Sequence, residues 1–529
     1  MSKTIQKFIE TLGWKVNDYS WDGHSHLFYV DEPDDIDVQF ENLRLAFKAT
    51  TSLGAERTFP MLRRAGDELV LVILPQPSFD YVKEKINLYL LIATIFTTTW
   101  AGAMWWASYS DSSVLDTDWW WLRILITTDF LMGFLTFSLP LMAILGAHEM
   151  GHYYYAKKHN LDASLPFFLP MPPMLFPFGT MGAFISIREP IPNRKALLDV
   201  GASGPIAGLL VAIPVTLLGF WLTEQNAVPV PVDSGDSLYL GSSFFFNALH
   251  ELGEMFYPSS GDYLSHPVVL AGWTGFFVTA LNLLPAGQLD GGHIARALLG
   301  PKANGLSYTV IFLLIIMTFY GIPGFGPPFS GWAIYAILIF FLGTSHPPPS
   351  EELSKLDSSR IGVGVLTGLI LLTTFTPSPI YAVESPFSLD IDVDQTNFIP
   401  VLNQTNQTSI RILNNGEVEA WDNISVKTSS LDNFTIDILD DDLSWASLSQ
   451  NQITLTKEGT ALVTVTVSLP VYDIDALTSV QRNALQASDY VVRVMATSDS
   501  KSSATDDVSF TTNIGETYGV KLEIIGSER

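Results

Sequence analysis

From about residue 87 to residue 382 the chain is a succession of apolar runs separated by short polar stretches, a pattern that leaves the backbone little choice but helices in lipid. The runs fall near 87–108, 130–155, 200–222, 267–284, 306–322, 327–343 and 361–382. A bilayer is crossed by roughly 20 apolar residues, so about six or seven transmembrane helices are expected, the last three runs being short or interrupted by Pro and Gly. Only 16% of the residues are charged and the mean hydropathy is +0.26, which an ordinary soluble protein does not combine.

Charge asymmetry orients these spans. Lys83, Lys85, Lys157, Lys158, Arg188, Arg194, Lys195, Arg296, Lys302, Lys355 and Arg360 all fall on one side of the arrangement, whereas 223–265 holds acids and no Lys or Arg. The positive side is cytoplasmic, so the N-terminus is expected inside, in a multi-pass protein of the cell membrane. The first residues lack an apolar signal core, which leaves targeting to the first span. A formal net charge of −26 argues against nucleic acid as a partner. With no cysteine in the chain, disulfides, thiolate metal sites and Cys nucleophiles are excluded.

Both flanks read as soluble. Residues 1–85 suggest a small cytoplasmic α+β domain, with strands at 43–47 and 68–74 around a helix at 56–65. Residues 86–382 form the membrane domain. Beyond it, 383–529 shows short alternating stretches at 409–412, 434–438, 461–469 and 490–495 between Asn, Asp, Gly and Ser clusters, the pattern of an all-β sandwich. Between Glu384 and Arg529 there are 22 acids against 8 bases, with Asn-x-Ser/Thr sequons at Asn403, Asn406, Asn423 and Asn433. An exterior position fits both features.

Within the second run stand His148, Glu149, Met150, Gly151 and His152. On a helix, histidines four apart project from one face and reach a single metal ion, with Glu149 beside the first. A chance pair of imidazoles in hydrocarbon is costly unless it faces a cavity or binds something. A catalytic zinc takes three protein ligands and keeps one position open, so a third ligand must come from another span. Asp290 closes the fourth run. Alone it reads equally as an interfacial charge, but Asn282, Pro285, Gly287, Gly291 and Gly292 around it describe a locally unwound helix lining a polar site.

These two motifs, in this order and in separate spans, resemble the site-2 protease family of intramembrane zinc metalloproteases. Segments 266–273, 279–285 and 179–185 are similar to its EGY-like branch. The resemblance covers roughly 85–349, and it implies one Zn2+ held by His148, His152 and Asp290, with Glu149 as the catalytic acid–base. Asn282 is expected to bind substrate backbone or the developing oxyanion, against a plainer role as a polar bridge between spans. His293 receives no role. The implied activity is hydrolysis of peptide bonds in or near transmembrane segments of membrane-protein substrates.

A helical substrate must unwind before its carbonyls can be reached. Residues 165–188 carry Pro166, Pro170, Pro172, Pro173 and Pro177, which forbid a continuous helix, and 179–187 reads as a strand. Gly179, Thr180, Met181 and Gly182 are therefore candidate clamp residues that pair with an extended peptide. The plainer reading is an amphipathic hairpin at the interface. The glycines of 201–208 are expected to let the third span pack closely on the catalytic helix. Two other classes of function stand against the protease: a zinc-binding membrane protein without proteolysis, and an envelope interaction protein acting through its β domain.

Overall fold

The computed structural model describes residues 2–50, 58–75, 84–228, 237–257, 263–322 and 326–383, and beyond these the strands named below. The chain divides into two compact units, one of Met1–Val230, Gly241–Ile322 and Pro328–Pro379, the other of Pro231–Leu240, Pro323–Pro327 and Ile380–Arg529.

The N-terminal part of the first unit is an antiparallel sheet in the order β1-β2-β4-β3, built from β1 (Val16–Trp21), β2 (His26–Val30), β3 (Thr58–Ala65) and β4 (Glu68–Pro75). Helices α1 (Ser2–Thr11) and α2 (Ile36–Ala49) share its core, in which Ile5, Ile9, Phe28, Phe40, Leu43, Leu62 and Leu71 are buried. Two local expectations are overturned. Residues 43–47 are helical, because Asp35 caps α2 by accepting from Val38 N, and burial then follows the helical spacing Phe40, Leu43, Arg44, Phe47. Of 56–65, residues 58–65 are strand β3, with Leu62 opposite Leu71 and Gly66 turning the hairpin at φ +64°. The strand expected at 68–74 is β4.

Each of the seven apolar runs contains a helix, but the last is helical only to Thr374, and Ile380–Val383 at its end is a strand. Among the described residues, four helices are long and apolar enough to cross a membrane: Lys85–Tyr109, Thr128–Lys158, Arg194–Asn226 and Asp290–Tyr320. Pro267–Leu283, Gly331–Leu342 and Ser358–Thr374 are apolar but shorter. In chain order the helices are α3 (Glu84–Tyr109), the single turn α4 (Trp120–Arg123), α5 (Thr128–Gly133), α6 (Leu139–Lys158), α7 (Arg194–Asn226), α8 (Phe244–Phe256), α9 (Pro267–Leu283), α10 (Asp290–Leu299), α11 (Ala303–Tyr320), α12 (Gly331–Leu342) and α13 (Ser358–Thr374). A wide π turn, Phe134–Ser138, joins α5 to α6 just before Pro140, whose ring nitrogen has no N–H to continue the ladder. Ser138 Oγ meets Thr98 Oγ1 of α3 at 2.6 Å there.

Small residues set the spacing of these helices. A Cβ at Gly102 of α3 would run into the carbonyl of Gly133, and one at Gly133 into the backbone of Ala103, so α3 and α5 touch main chain to main chain. Outward-facing Phe312, Phe319, Ile334, Phe341 and Leu372 leave an apolar exterior on the bundle.

In the second unit, β7 (Ser237–Leu240) pairs with β8 (Ile380–Val383). Two antiparallel sheets follow. One runs Ala446–Leu448, Thr460–Ser468, Thr405–Asn414, Leu389–Val393, and the other Gln452–Leu455, Asp432–Ile438, Asp489–Ser498, Ser503–Ile514, Tyr518–Ile525. Each of the four expected stretches lies within or overlaps one of these strands. Asn406 and Asn433 lie in strands, while Asn403 and Asn423 fall outside the described residues.

Gly133→Leu is expected to force α3 and α5 apart and to destabilise the bundle by about 2 kcal/mol or more. Leu131→Ala, at a position 60% exposed, should stay within about 0.5 kcal/mol. Thermal unfolding in detergent separates the two outcomes, and equal midpoints would refute the tight crossing.

Candidate metal centre

His148 and His152 lie one turn apart on α6, and both are buried. Their rings face α7 where glycines leave room. A Cβ at Gly204 would land on the His152 ring, and one at Gly208 would come within 3.2 Å of His148 Cβ. Gly151 likewise lies against the backbone of Ser203. The glycine stripe of α7 is thus a seat for the two imidazoles as well as a helix contact.

The third group arrives from a break in the chain. Helix α9 ends at Leu283, Leu284 is extended at ψ 127°, Pro285 follows, Gly287 takes φ +53°, and α10 begins at Asp290. Gly291 and Gly292 have no space for a side chain because the carbonyls of Leu283 and Gly287 lie where their Cβ atoms would be. Tyr335 of α12 donates its hydroxyl to Leu281 O at 3.0 Å, satisfying a carbonyl at the frayed end of α9.

Asp290 Oδ2 lies 3.1 Å from His148 Nε2 and 3.2 Å from His152 Nε2, and the two Nε2 atoms are 3.1 Å apart. His152 Nδ1 donates to Val200 O at 2.7 Å. A carbonyl can only accept, so in the neutral ring the lone pair is on Nε2, facing the other two groups. The His152 lone pair and the Asp290 carboxylate, turned on one point, repel unless something positive lies between them. A tetrahedral zinc with bonds of about 2.0–2.1 Å holds its ligands roughly 3.3 Å apart, close to the spacing found here. The donor set therefore fits one such cation, and it is the one group of three or more such side chains within metal-holding distance among the described residues.

Glu149 is 4% exposed and close enough to interact electrostatically with His148, His152 and Asp290. Asn282 Nδ2 is 3.3 Å from His148 Nε2, which places the amide at the centre and also bridges α9 to α6. Below Asp290, His293 Nδ1 meets His346 Nε2 at 2.5 Å, and His346 Nδ1 donates to Pro347 O at 2.6 Å. Burial holds the His346 imidazole below its ordinary range, so it stays neutral and accepts from His293.

The clamp candidates lie in a hairpin of β5 (Phe167–Pro170) and β6 (Thr180–Phe184). The strand is shorter than 179–187. It ends at Phe184, and an isolated bridge, Ala163 to Ile187, resumes the pairing. The register slips between Phe168 and Pro170, where proline has no N–H to give. Thr180 is buried and donates to Leu169 O at 2.9 Å, Met181 is 52% exposed, Gly182 has φ +101°, and Gly179 packs on the Thr97 carbonyl of α3. Among the described residues β6 has β5 as its one strand partner.

Other histidines have local roles. His266 caps α9 by accepting from Val268 N, and His250 pairs with Glu254. His159 bonds Asp199 Oδ2 at 2.9 Å, and Asp199 also receives Arg360. Nothing in the Lys157-Lys158-His159 run signals a partner 40 residues away.

Residues 136–320 match the model of peptidase family M50. That segment contains both motifs, and the likeness to the site-2 proteases and their EGY branch stands. The chain is 33% identical over 247 residues to a probable chloroplastic zinc metalloprotease, EGY2, of Oryza sativa subsp. indica, covering 46% of this chain and 42% of that protein. It is 31% identical over 241 residues to EGY2 of Arabidopsis thaliana (45% and 40%), and 28% identical over 261 residues to EGY1 of the same plant (46% and 44%). The chain thus spans less than half the length of these curated relatives.

Gly204→Ala is expected to displace the His152 ring and to lower bound metal at least about tenfold. Gly146→Ala on α6 meets nothing within 4 Å and should bind metal normally. Elemental analysis of the purified variants checks this, and full occupancy in Gly204→Ala would show that the seat is not needed.

Proposed function

We propose that the chain is an intramembrane zinc metalloprotease that cleaves peptide bonds in or near the transmembrane segments of other membrane proteins. The observation that carries this reading is the meeting of His148 Nε2, His152 Nε2 and Asp290 Oδ2, beside Glu149, among apolar helices within the M50 segment. One Zn2+ fits the three donors, as the names of the relatives suggest. When bound, zinc supplies Lewis acidity to water and to the scissile carbonyl.

The remaining steps belong to the chain's own side chains. Glu149 takes the proton of the attacking water and returns it to the leaving amine. Asn282, with its amide already at the centre, hydrogen-bonds the substrate carbonyl or the oxyanion that develops on it. Gly179 before Thr180 and Gly182 within β6 shape a short strand whose outer edge takes an unwound stretch of substrate, so main-chain hydrogen bonds replace those the substrate helix gives up. Substrates with Gly, Pro or Asn in the span unwind at lower cost and are favoured.

All seven apolar helices cross or enter the membrane in this reading, with three functional parts: a cytoplasmic domain (1–85), the protease domain (86–382) and an exterior β-sandwich (383–529) formed by the two C-terminal sheets. Charge asymmetry supports this orientation, since 223–265 and the C-terminal region are acidic.

The test is cleavage of a Gly-containing transmembrane peptide by detergent-purified protein. Glu149→Gln is expected to keep its zinc and lose at least about 100-fold in rate. Equal rates would remove Glu149 from the mechanism, and zinc missing from both forms would remove the metalloprotease reading itself.

A further inference from the structure

We propose that helix α2 of the N-terminal domain is a positioning element for the metal-ligand helix and the β5–β6 hairpin, acting through a fork made by Arg44 and Lys48; the link to catalysis rests on the protease reading above. The last carbonyls of α6 are met by the chain itself, His159 N donating to Tyr155 O, Leu161 N to Ala156 O and Asn160 N to Lys157 O, which leaves the carbonyls just beyond the helix, where a cation is favoured by the helix dipole. Asn160 ends the helix at φ +55°. The lysines of its own last turn are turned elsewhere: Lys157 and Lys158 lie over the rings of Tyr153 and Tyr155. Instead Arg44 Nη2 donates to His159 O at 3.0 Å and Lys48 Nζ to Asn160 O at 2.7 Å.

The same two side chains also hold the exit of the hairpin. Lys48 Nζ lies 2.6 Å from Glu189 Oε1, and Arg44 Nη1 lies 3.6 Å from Glu189 Oε2. Glu189 follows the strand that closes the hairpin, where Ile187 bridges Ala163 and Arg188 N donates to Asp162 O. Arg44 is itself fixed by the two bonds it donates to Glu41, at 2.9 and 2.7 Å, and its side chain is 7% exposed. Arg44 and Lys48, one turn apart on α2, therefore tie the end of the helix that carries His148 and His152 to the root of the strand proposed to take substrate.

Two further attachments prevent α2 from turning about this fork. Asp37 in its first turn pairs with Lys195 at the start of α7. On the other side of the domain, Leu62 N of β3 donates to Ser350 O at 2.8 Å, and Arg63 reaches Pro349 O and Ser350 O. The strap 349–351 in turn donates from Ser350 N and Glu351 N to Ile191 O and Pro192 O, just past the hairpin. A loosened fork would let the root of β6 shift while the metal ligands, seated on α7, stay in place.

Lys48→Met and Glu189→Gln in the full-length protein test this. Lys48 is 41% exposed in its side chain, so its loss should leave folding intact. Each variant is expected to retain zinc and thermal midpoint, to speed amide exchange across Thr180–Phe184 about tenfold, and to raise KM for the Gly-containing peptide about tenfold with kcat little changed. The double variant should be no worse than either single one. Unchanged exchange at 180–184, or additive effects in the double variant, would overturn the fork. If wild-type protein cleaves nothing, the protease reading fails while the exchange measurement still decides this one.

Discussion

The centre depends on one steric fact: α6 and α7 come close enough for two imidazoles to lie in the space of missing side chains. Two histidines and two carboxyl groups amid apolar helices are tolerable only if each polar atom has a partner. Gly204 and Gly208 recur with the same four-residue period as His152 and His148, so each ring has its own notch. That closeness also brings Val200 O within 2.7 Å of His152 Nδ1, which fixes the tautomer. The same small residues therefore set helix spacing, ring orientation and the direction of the lone pair.

The third donor needs the opposite of regular packing. A continuous helix through 284–289 would leave no freedom to aim Asp290 independently of α9. Pro285 and Gly287 break the helix, and the chain restarts at Asp290, whose carboxylate then lies at the N-terminal end of α10, where an anion is favoured. The freed main chain is not left bare: Tyr335 takes Leu281 O, and Ser307 Oγ accepts from Gly287 N. Unwinding at membrane depth is possible because neighbouring helices complete its hydrogen bonds.

Much of this was legible in the sequence because it is local. The histidine spacing, the proline break and the glycine stripe are each defined within a dozen residues, and a helix translates such spacing directly into a face. The errors at 43–47 and 56–65 arose where two periods compete. Leu43, Leu45 and Phe47 alternate as a strand would, but Asp35 starts a helix upstream, and the cap decides. Thr58–Ala65 holds two arginines and no clear alternation, yet it pairs along its length with β4, a non-local interaction that composition does not encode. For the same reason the Arg44 and Lys48 contacts to His159 and Asn160, more than 100 residues apart in sequence, left no trace in the sequence pattern.

The polar groups at the charged end of the bundle form one connected set rather than scattered surface pairs. Arg44 bonds the carbonyl of His159, the His159 ring bonds Asp199, and Asp199 receives two donors from Arg360 at the start of α13. Asp199 immediately precedes Val200, the residue whose carbonyl orients His152. A surface ion pair on its own contributes little, but here the members restrain α6, which carries His148 and His152, and α7, which seats them. The N-terminal domain, α6 and α13 are thus joined at Asp199 of α7, one peptide unit from the carbonyl that orients His152. A bundle whose apolar faces only meet lipid and each other has no comparable source of angular precision. The charged end supplies it, because hydrogen bonds to carbonyls and carboxylates are directional where apolar contact is not.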